Sequence, residues 1–171
     1  MNLNDDDDDD SGTILRVAIA DDHKLLADAV SSMLGGDEGF ETSCCYDLES
    51  LLKLLGRDKF DIVLLDLRMP GMSGLDSVAQ VVRAARDGHV VLFTGQVDRH
   101  VLDKAIELGV RGLIAKTMPL RSLGSIIELI CSGQIFVPVG ADFPGSMTDV
   151  ENKHGLTDKE LYVLRRAANG M

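Results

Sequence analysis

The chain has 171 residues, of which 45% are hydrophobic, and a formal net charge of −11. That is enough apolar material for one full core with a short appendage. Six of the negative charges form the run Asp5–Asp10, leaving about −5 for the rest. The run reads as an acidic, solvated and disordered tail over residues 1–13. An acidic balance argues against a broad nucleic-acid surface, and the modest remainder selects no partner by charge alone. The three cysteines, Cys44, Cys45 and Cys131, include no Cys/His cluster at zinc-ligand spacing and read as free thiols of a reducing cytosol. The uncharged run Leu129–Ala141 is too short to span a bilayer and contains Pro138, and the Asp-rich N-terminus is the opposite of an export signal. A cytoplasmic location without a membrane partner is expected.

From Ile14 onward, short apolar runs alternate with helical patterns, as in strands joined by crossover helices in a parallel sheet. The first strand is predicted over Leu15–Ala20. Its helix carries Leu25, Leu26, Ala29, Val30, Met33 and Leu34 on one face and stops at Gly35-Gly36. A second strand, Phe40–Tyr46, is the most polar and suits a sheet edge; its helix covers Asp47–Leu55. The third strand, Ile62–Leu65, leads through a Pro/Gly loop to a helix bearing Leu75, Val78, Val81 and Val82. A fourth strand over Val90–Phe93 precedes a helix with Val101, Leu102, Ala105 and Ile106, ending at Gly109. The fifth strand, Leu113–Ala115, leads to a helix with Leu123, Ile126, Ile127 and Ile130. The result is a (βα)5 α/β chain whose right-handed crossovers fit a doubly wound parallel sheet of order 2-1-3-4-5.

Residues 14–134 form this domain, and 135–154, rich in Pro, Gly and small polar residues, read as a linker. Residues 155–171 open a C-terminal helical fragment. Thr157 and Glu160 have the spacing of a capping box for a helix through Leu161, Val163, Leu164 and Ala168.

In an open parallel sheet, ligands bind beyond the carboxyl ends of the strands. Those positions hold Asp21-Asp22 after the first strand, Asp66 after the third, Thr94-Gly95 after the fourth and Lys116 after the fifth. Crowded carboxylates repel and persist together when a hard cation neutralises them. Mg2+ suits few carboxylates plus waters and phosphate oxygens, so the set points to phosphoryl transfer. Asp66 is the candidate nucleophile, Lys116 and Thr94 are candidate partners for phosphoryl oxygens, and Gly95 leaves room for the group. Taken singly, Asp21 and Asp22 could be plain helix caps; His23, beside the acidic pair, could ligate metal but reads more readily as a solvent-facing residue of the first turn. Met69 and Met72 cover a loop more readily than they bind a cofactor.

The segments Ile19-Ala20-Asp21-Asp22-His23, Leu65–Gly74, Thr94-Gly95 and Ala115-Lys116 resemble response-regulator receiver domains over roughly Ile14–Gln134. The resemblance implies a flavodoxin-like fold with Asp66 as phosphoacceptor. It also implies Mg2+ held by Asp22 directly, Asp21 chiefly through water, Asp66, and the backbone carbonyl of Arg68. Thr94 and Lys116 would report phosphorylation to the face of helix four, strand five and helix five. Residues Leu156–Gly170 are similar to the opening of the DNA-binding domain of the NarL/FixJ (LuxR-type helix-turn-helix) class. The implied protein is a non-enzymatic transcription regulator, phosphorylated by a sensor histidine kinase or phosphotransfer protein. It would form a homodimer when phosphorylated and contact DNA only through C-terminal sequence absent from this chain. A stand-alone receiver acting by phosphorelay or protein docking is the alternative.

Two positions depart from the pattern. Leu113 stands where relatives commonly have an aromatic switch residue, and Thr117-Met118 separates Lys116 from Pro119. Other chemistries fit less well. A haloacid-dehalogenase-like phosphatase needs an acid where Arg68 stands, and a dinucleotide-binding domain needs a glycine-rich first turn where Ala20–His23 stands.

Overall fold

The computed structural model describes residues 13–36, 39–95, 97–138 and 161–165. The elements follow in chain order as β1 (Leu15–Ala20), α1 (Lys24–Gly35), β2 (Phe40–Cys45), α2 (Leu48–Arg57), β3 (Ile62–Leu65), α3 (Leu75–Ala85) and β4 (His89–Thr94). They continue as α4 (Arg99–Leu108), β5 (Val110–Ala115), a 3-10 turn at Leu120–Ser122, α5 (Leu123–Cys131), β6 (Gln134–Pro138) and β7 (Leu161–Arg165). The sheet order is β2-β1-β3-β4-β5-β6-β7, parallel from β2 through β6. The flavodoxin-like order 2-1-3-4-5 is thus observed, with the polar β2 at an edge.

The period of two along each strand divides the core into two layers. Ala18, Ala20, Val63, Leu65, Val90 and Leu92 face Leu51 of α2, Val78 and Val81 of α3, and Leu102 of α4. The intervening Val17, Ile19, Ile62, Leu64, Val91 and Phe93 face Val30 of α1 and Ile126, Ile127 and Ile130 of α5. Each large aliphatic side chain removed from water in this way contributes about 1.5–3 kcal/mol before entropy is counted. Helices therefore cover both faces, and the ends of the buried strands are held in a rigid frame.

Local signals place most boundaries. The Asp47 side chain accepts from the Ser50 amide at 2.7 Å and starts α2, and Asp98 accepts from the His100 amide at 2.8 Å and starts α4. Gly109 closes α4 in the left-handed region at φ 117.

Three expectations need correction. The buried face of α1 is Ala27, Val30 and Leu34, while Leu25 is 86% exposed; a helix sitting over one sheet face hides a stripe narrower than its full set of apolar residues. Residues at the expected start of the linker instead form β6, with Ile135, Phe136 and Val137 buried. An apolar run beside an unpaired edge gains ladder hydrogen bonds and core contacts together. Gly112 permits this approach: a Cβ there would lie 1.9 Å from the Phe136 carbonyl oxygen. The helix expected through Leu161, Val163 and Leu164 is replaced by β7, antiparallel to β6 from Gln134↔Arg165 to Pro138↔Leu161. Tyr162 and Val163 have strand propensity, and the free edge of β6 supplies the backbone partners that outweigh a local cap signal. Thr157, Glu160 and Ala168 lie outside the described residues, as does the acidic run Asp5–Asp10.

Candidate functional site

The ladder continues one residue past three strands and so fixes where their terminal side chains start. The Asp21 amide donates to the Cys45 carbonyl at 3.0 Å, the Asp66 amide to the Ala20 carbonyl at 2.9 Å, and the Lys116 amide to the Thr94 carbonyl at 3.1 Å. Asp21, Asp66 and Thr94 are at most 2% exposed. These groups emerge from buried strands into a tight pocket rather than into bulk water.

Lys116 is the hub of that pocket. Its Nζ lies 2.9 Å from Asp66 Oδ2, donating a hydrogen bond, and 2.9 Å from Asp21 Oδ2. The second carboxylate oxygens are held by the turns that follow. Asp21 Oδ1 accepts from the His23 amide at 2.8 Å, and Asp66 Oδ1 accepts from the Arg68 amide at 3.0 Å. The loop after Asp66 is anchored from two sides. Met69 is buried, and the Pro70 carbonyl accepts from the Leu48 amide at 2.9 Å. At the far end Ser77 Oγ accepts from the Ser73 amide at 2.8 Å. Gly71 turns the loop at φ +92, with its Cα against Leu48. The space beside Gly95 is open.

Burial pushes the Asp21 carboxyl above its ordinary value of 3.8, and Lys116 and the His23 amide offset this only in part. Burial by itself would lower the Lys116 ammonium, but the Asp21 and Asp66 carboxylates outweigh it and hold the group above 10.5. The contact to Asp21 is an ion pair without good hydrogen-bond direction, so Asp21 Oδ2 is a fully buried oxygen with no directed donor. One ammonium thus serves two buried carboxylates, with exposed Asp22 adding a third acid at the mouth. A hard oxygen-seeking cation fits this donor set, since it would supply both the missing charge and a partner for that oxygen.

The structure brings together Asp21, Asp66, Thr94 and Lys116 as the sequence predicted, with Asp22, Gly95 and Arg68 at the rim. It also places one donor atom each from Asp21, Asp22 and His23 within 4.8 Å of one another. The sequence places His23 beside the acidic pair but favours a solvent-facing first-turn position for it, and the structure leaves it exposed. Leu113 is 3% exposed and belongs to the core layer that also holds Leu92, Leu102, Ile135 and Val137. It is not a surface side chain.

Residues 17–128 match the family model of the response regulator receiver domain. This chain belongs to the response regulators. It is 33% identical over 168 residues to the glycerol metabolism activator of Pseudomonas putida, covering 91% of this chain and 76% of that protein. Its fold is similar to a LuxR-family two-component response regulator from Aurantimonas sp. SI85-9A1, with TM-score 0.68 and 20% identity over 82% of this chain and 99% of that one. It is also similar to a response regulator from Burkholderia pseudomallei solved with a phosphorylated aspartic acid, calcium ion and citrate, with TM-score 0.60 and 19% identity over 84% and 75% of the two chains. Among the described residues of this response regulator, no helix is long and apolar enough to cross a membrane.

Proposed function

We propose that this receiver accepts a phosphoryl group on Asp66 from a histidine kinase or phosphotransfer protein, with Mg2+ as the assisting cation. The observation that carries the reading is the shared ammonium: Lys116 Nζ bridges buried Asp21 and Asp66 at 2.9 Å each, at the carboxyl ends of adjacent strands. A carboxylate oxygen of Asp66 attacks phosphorus, the P–N bond of a phosphoimidazole donor breaks, and an acyl phosphate forms as the imidazole leaves with the bond's electrons. Lys116 then pairs with a phosphoryl oxygen, the Thr94 hydroxyl donates to another, and the open space at Gly95 receives the group. Asp21, Asp22, Asp66 and the Arg68 carbonyl would hold the cation, whose contribution is to neutralise charge among carboxylates and phosphoryl oxygens.

The signalling consequence follows from position. Thr94 ends β4 and the Lys116 amide is bonded to its carbonyl, so a change of partner at either residue is felt by β4 and β5 together. Because β6 covers the outer edge of β5, the surface that reads phosphorylation consists of α4, β5, α5 and β6. Homodimerisation through that surface, in the cytoplasm, would control transcription through a C-terminal helix-turn-helix DNA-binding domain. Support comes from the Pseudomonas putida likeness, which extends over 91% of this chain and so past the receiver. Intact-mass measurement with a small acyl-phosphate donor and Mg2+ tests the first step. One phosphoryl group should add to the wild type and none to Asp66→Asn, and equal adduct yield in the variant would remove Asp66 from the role.

A further inference from the structure

The mouth of the pocket carries a second cation that the phosphoryl chemistry leaves unused. Asp21, Asp22 and Asp66 make this end of the sheet acidic, and Lys116 Nζ is engaged inside it, 2.9 Å from both Asp21 and Asp66. An incoming phosphodonor is itself an anion and meets repulsion there. Lys24 opens α1 two residues after Asp22 and is exposed. Asp28 stands four residues on, the spacing of a helical ion pair, but the Lys24 ammonium lies instead over the Tyr46 ring, 5.2 Å from its centroid. That ring is fixed in place. Tyr46 is partly buried against the core layer covered by α1 and α5. It follows Cys45, whose carbonyl accepts from the Asp21 amide at 3.0 Å, and stands two residues before Leu48, whose amide donates to the Pro70 carbonyl at 2.9 Å. The short turn bearing the ring is therefore tied on one side to the strand end of Asp21 and on the other to the loop after Asp66.

We propose that Lys24, held by Tyr46, is a specificity-determining residue of the phosphorylation reaction, a fixed cation at the mouth that favours dianionic acyl-phosphate donors over donors of lower charge. The inference rests on the reading of Asp66 as phosphoacceptor and deepens it by assigning a residue that sorts donors by charge. With such a donor, an Asp66 oxygen attacks phosphorus, the bond from phosphorus to the donor's carboxyl oxygen breaks, and the carboxylate leaves with the electron pair. Lys24 acts before that step, on capture of the donor. Coulombic attraction scales with donor charge, so losing the ammonium costs a dianion twice the free energy, and hence the square of the rate factor, that it costs a monoanion. The ring face keeps the charge in one place, whereas a free lysine side chain spreads it through the surrounding water.

Second-order rate constants for phosphorylation of the whole chain test it, followed by intact mass at low ionic strength and saturating Mg2+. The donors are acetyl phosphate, a dianion, and phosphoramidate, which carries a single net negative charge. In Lys24→Met the constant should fall about fourfold for acetyl phosphate and about twofold for phosphoramidate, and both losses should shrink as added salt screens the charge. Tyr46→Leu should show a smaller loss of the same pattern, and Lys24→Arg, which keeps the charge and the ring contact, should match the wild type. The proposal is overturned, with Asp66 still the acceptor, by unchanged constants in Lys24→Met or Tyr46→Leu, by a loss equal for both donors, or by a loss in Lys24→Arg as large as in Lys24→Met. If the wild type accepts no phosphoryl group from either donor, the phosphoacceptor reading itself fails, and the inference with it.

Discussion

Replacing Lys116 by Met keeps most of the side-chain volume and removes the one ammonium that lies 2.9 Å from both Asp21 and Asp66. The two carboxyl side chains are 0% and 3% exposed, so neither can recover its lost partner from bulk water. Removing one member of a buried ion pair costs about 3–5 kcal/mol; because the Lys116 side chain keeps some exposure, the lower end is expected, roughly 10 °C in Tm for a domain of this size. The pH dependence has a definite sign. Without the ammonium the buried Asp21 carboxyl resists ionisation more strongly still, so the native variant binds more protons than the unfolded chain at pH values above the ordinary 3.8. Its deficit against wild type therefore shrinks as pH falls through the raised folded value of Asp21. At the alkaline end the deficit closes as well: the Lys116 pKa is raised in the fold, so its stabilisation is complete below 10.5 and is lost as pH rises through the folded value. A divalent cation should restore more stability to the variant than it adds to wild type, by supplying positive charge at the same place. Thermal melts of both proteins from pH 5 to 11, with and without Mg2+, measure all of this. A variant within about 2 °C of wild type at pH 7, or a deficit that widens on acidification, would refute the argument.

Other outcomes follow from packing. Gly112→Ala puts a Cβ 1.9 Å from the Phe136 carbonyl oxygen at a backbone φ of +141, so β6 must separate from β5. A loss of about 2 kcal/mol or more is expected, with hydrogen-exchange protection falling first in β6. Leu113→Tyr inserts a ring and a hydroxyl at a core position that is 3% exposed, with an overpacking cost of about 1–3 kcal/mol in denaturant unfolding. If the missing ring weakens switching, the same variant enlarges the amide shifts of α4 and β5 on beryllofluoride binding; identical shifts would remove Leu113 from the explanation. Burial pushes the Cys45 and Cys131 thiols up to about 11, which leaves almost no thiolate at pH 7. Both should resist iodoacetamide in the native protein and react on unfolding, as peptide mapping by mass spectrometry can follow.

Much of the fold was legible because the strands and helices of this receiver obey simple periods. Val90–Phe93 has few readings other than a strand buried on both sides, and Gly109 marks a helix end by its lack of a Cβ. The cluster of Asp21, Asp66, Thr94 and Lys116 was legible for a topological reason: once the strands are parallel and their order is 2-1-3-4-5, their carboxyl ends must converge. The turn between the Asp21 side chain and the His23 amide was not legible, because it depends on where the end of β1 aims the carboxylate. The exposure of Leu25 was hidden as well, since periodicity reports an apolar stripe without its width.

By itself the sequence determined the alternation of elements, the parallel sheet and the four strand ends at which the candidate site residues stand, because each depends on residues near in the chain or on chirality rules that hold for any such alternation. Tertiary structure alone decided that one ammonium is shared between Asp21 and Asp66, a matter of side-chain reach across three strands. It also decided the fate of the two segments after α5. The apolar run Gln134–Pro138 and the segment Leu161–Arg165 are strands because the exposed edges of β5 and then β6 offered unpaired backbone groups, and a partner's edge leaves no trace in the local sequence.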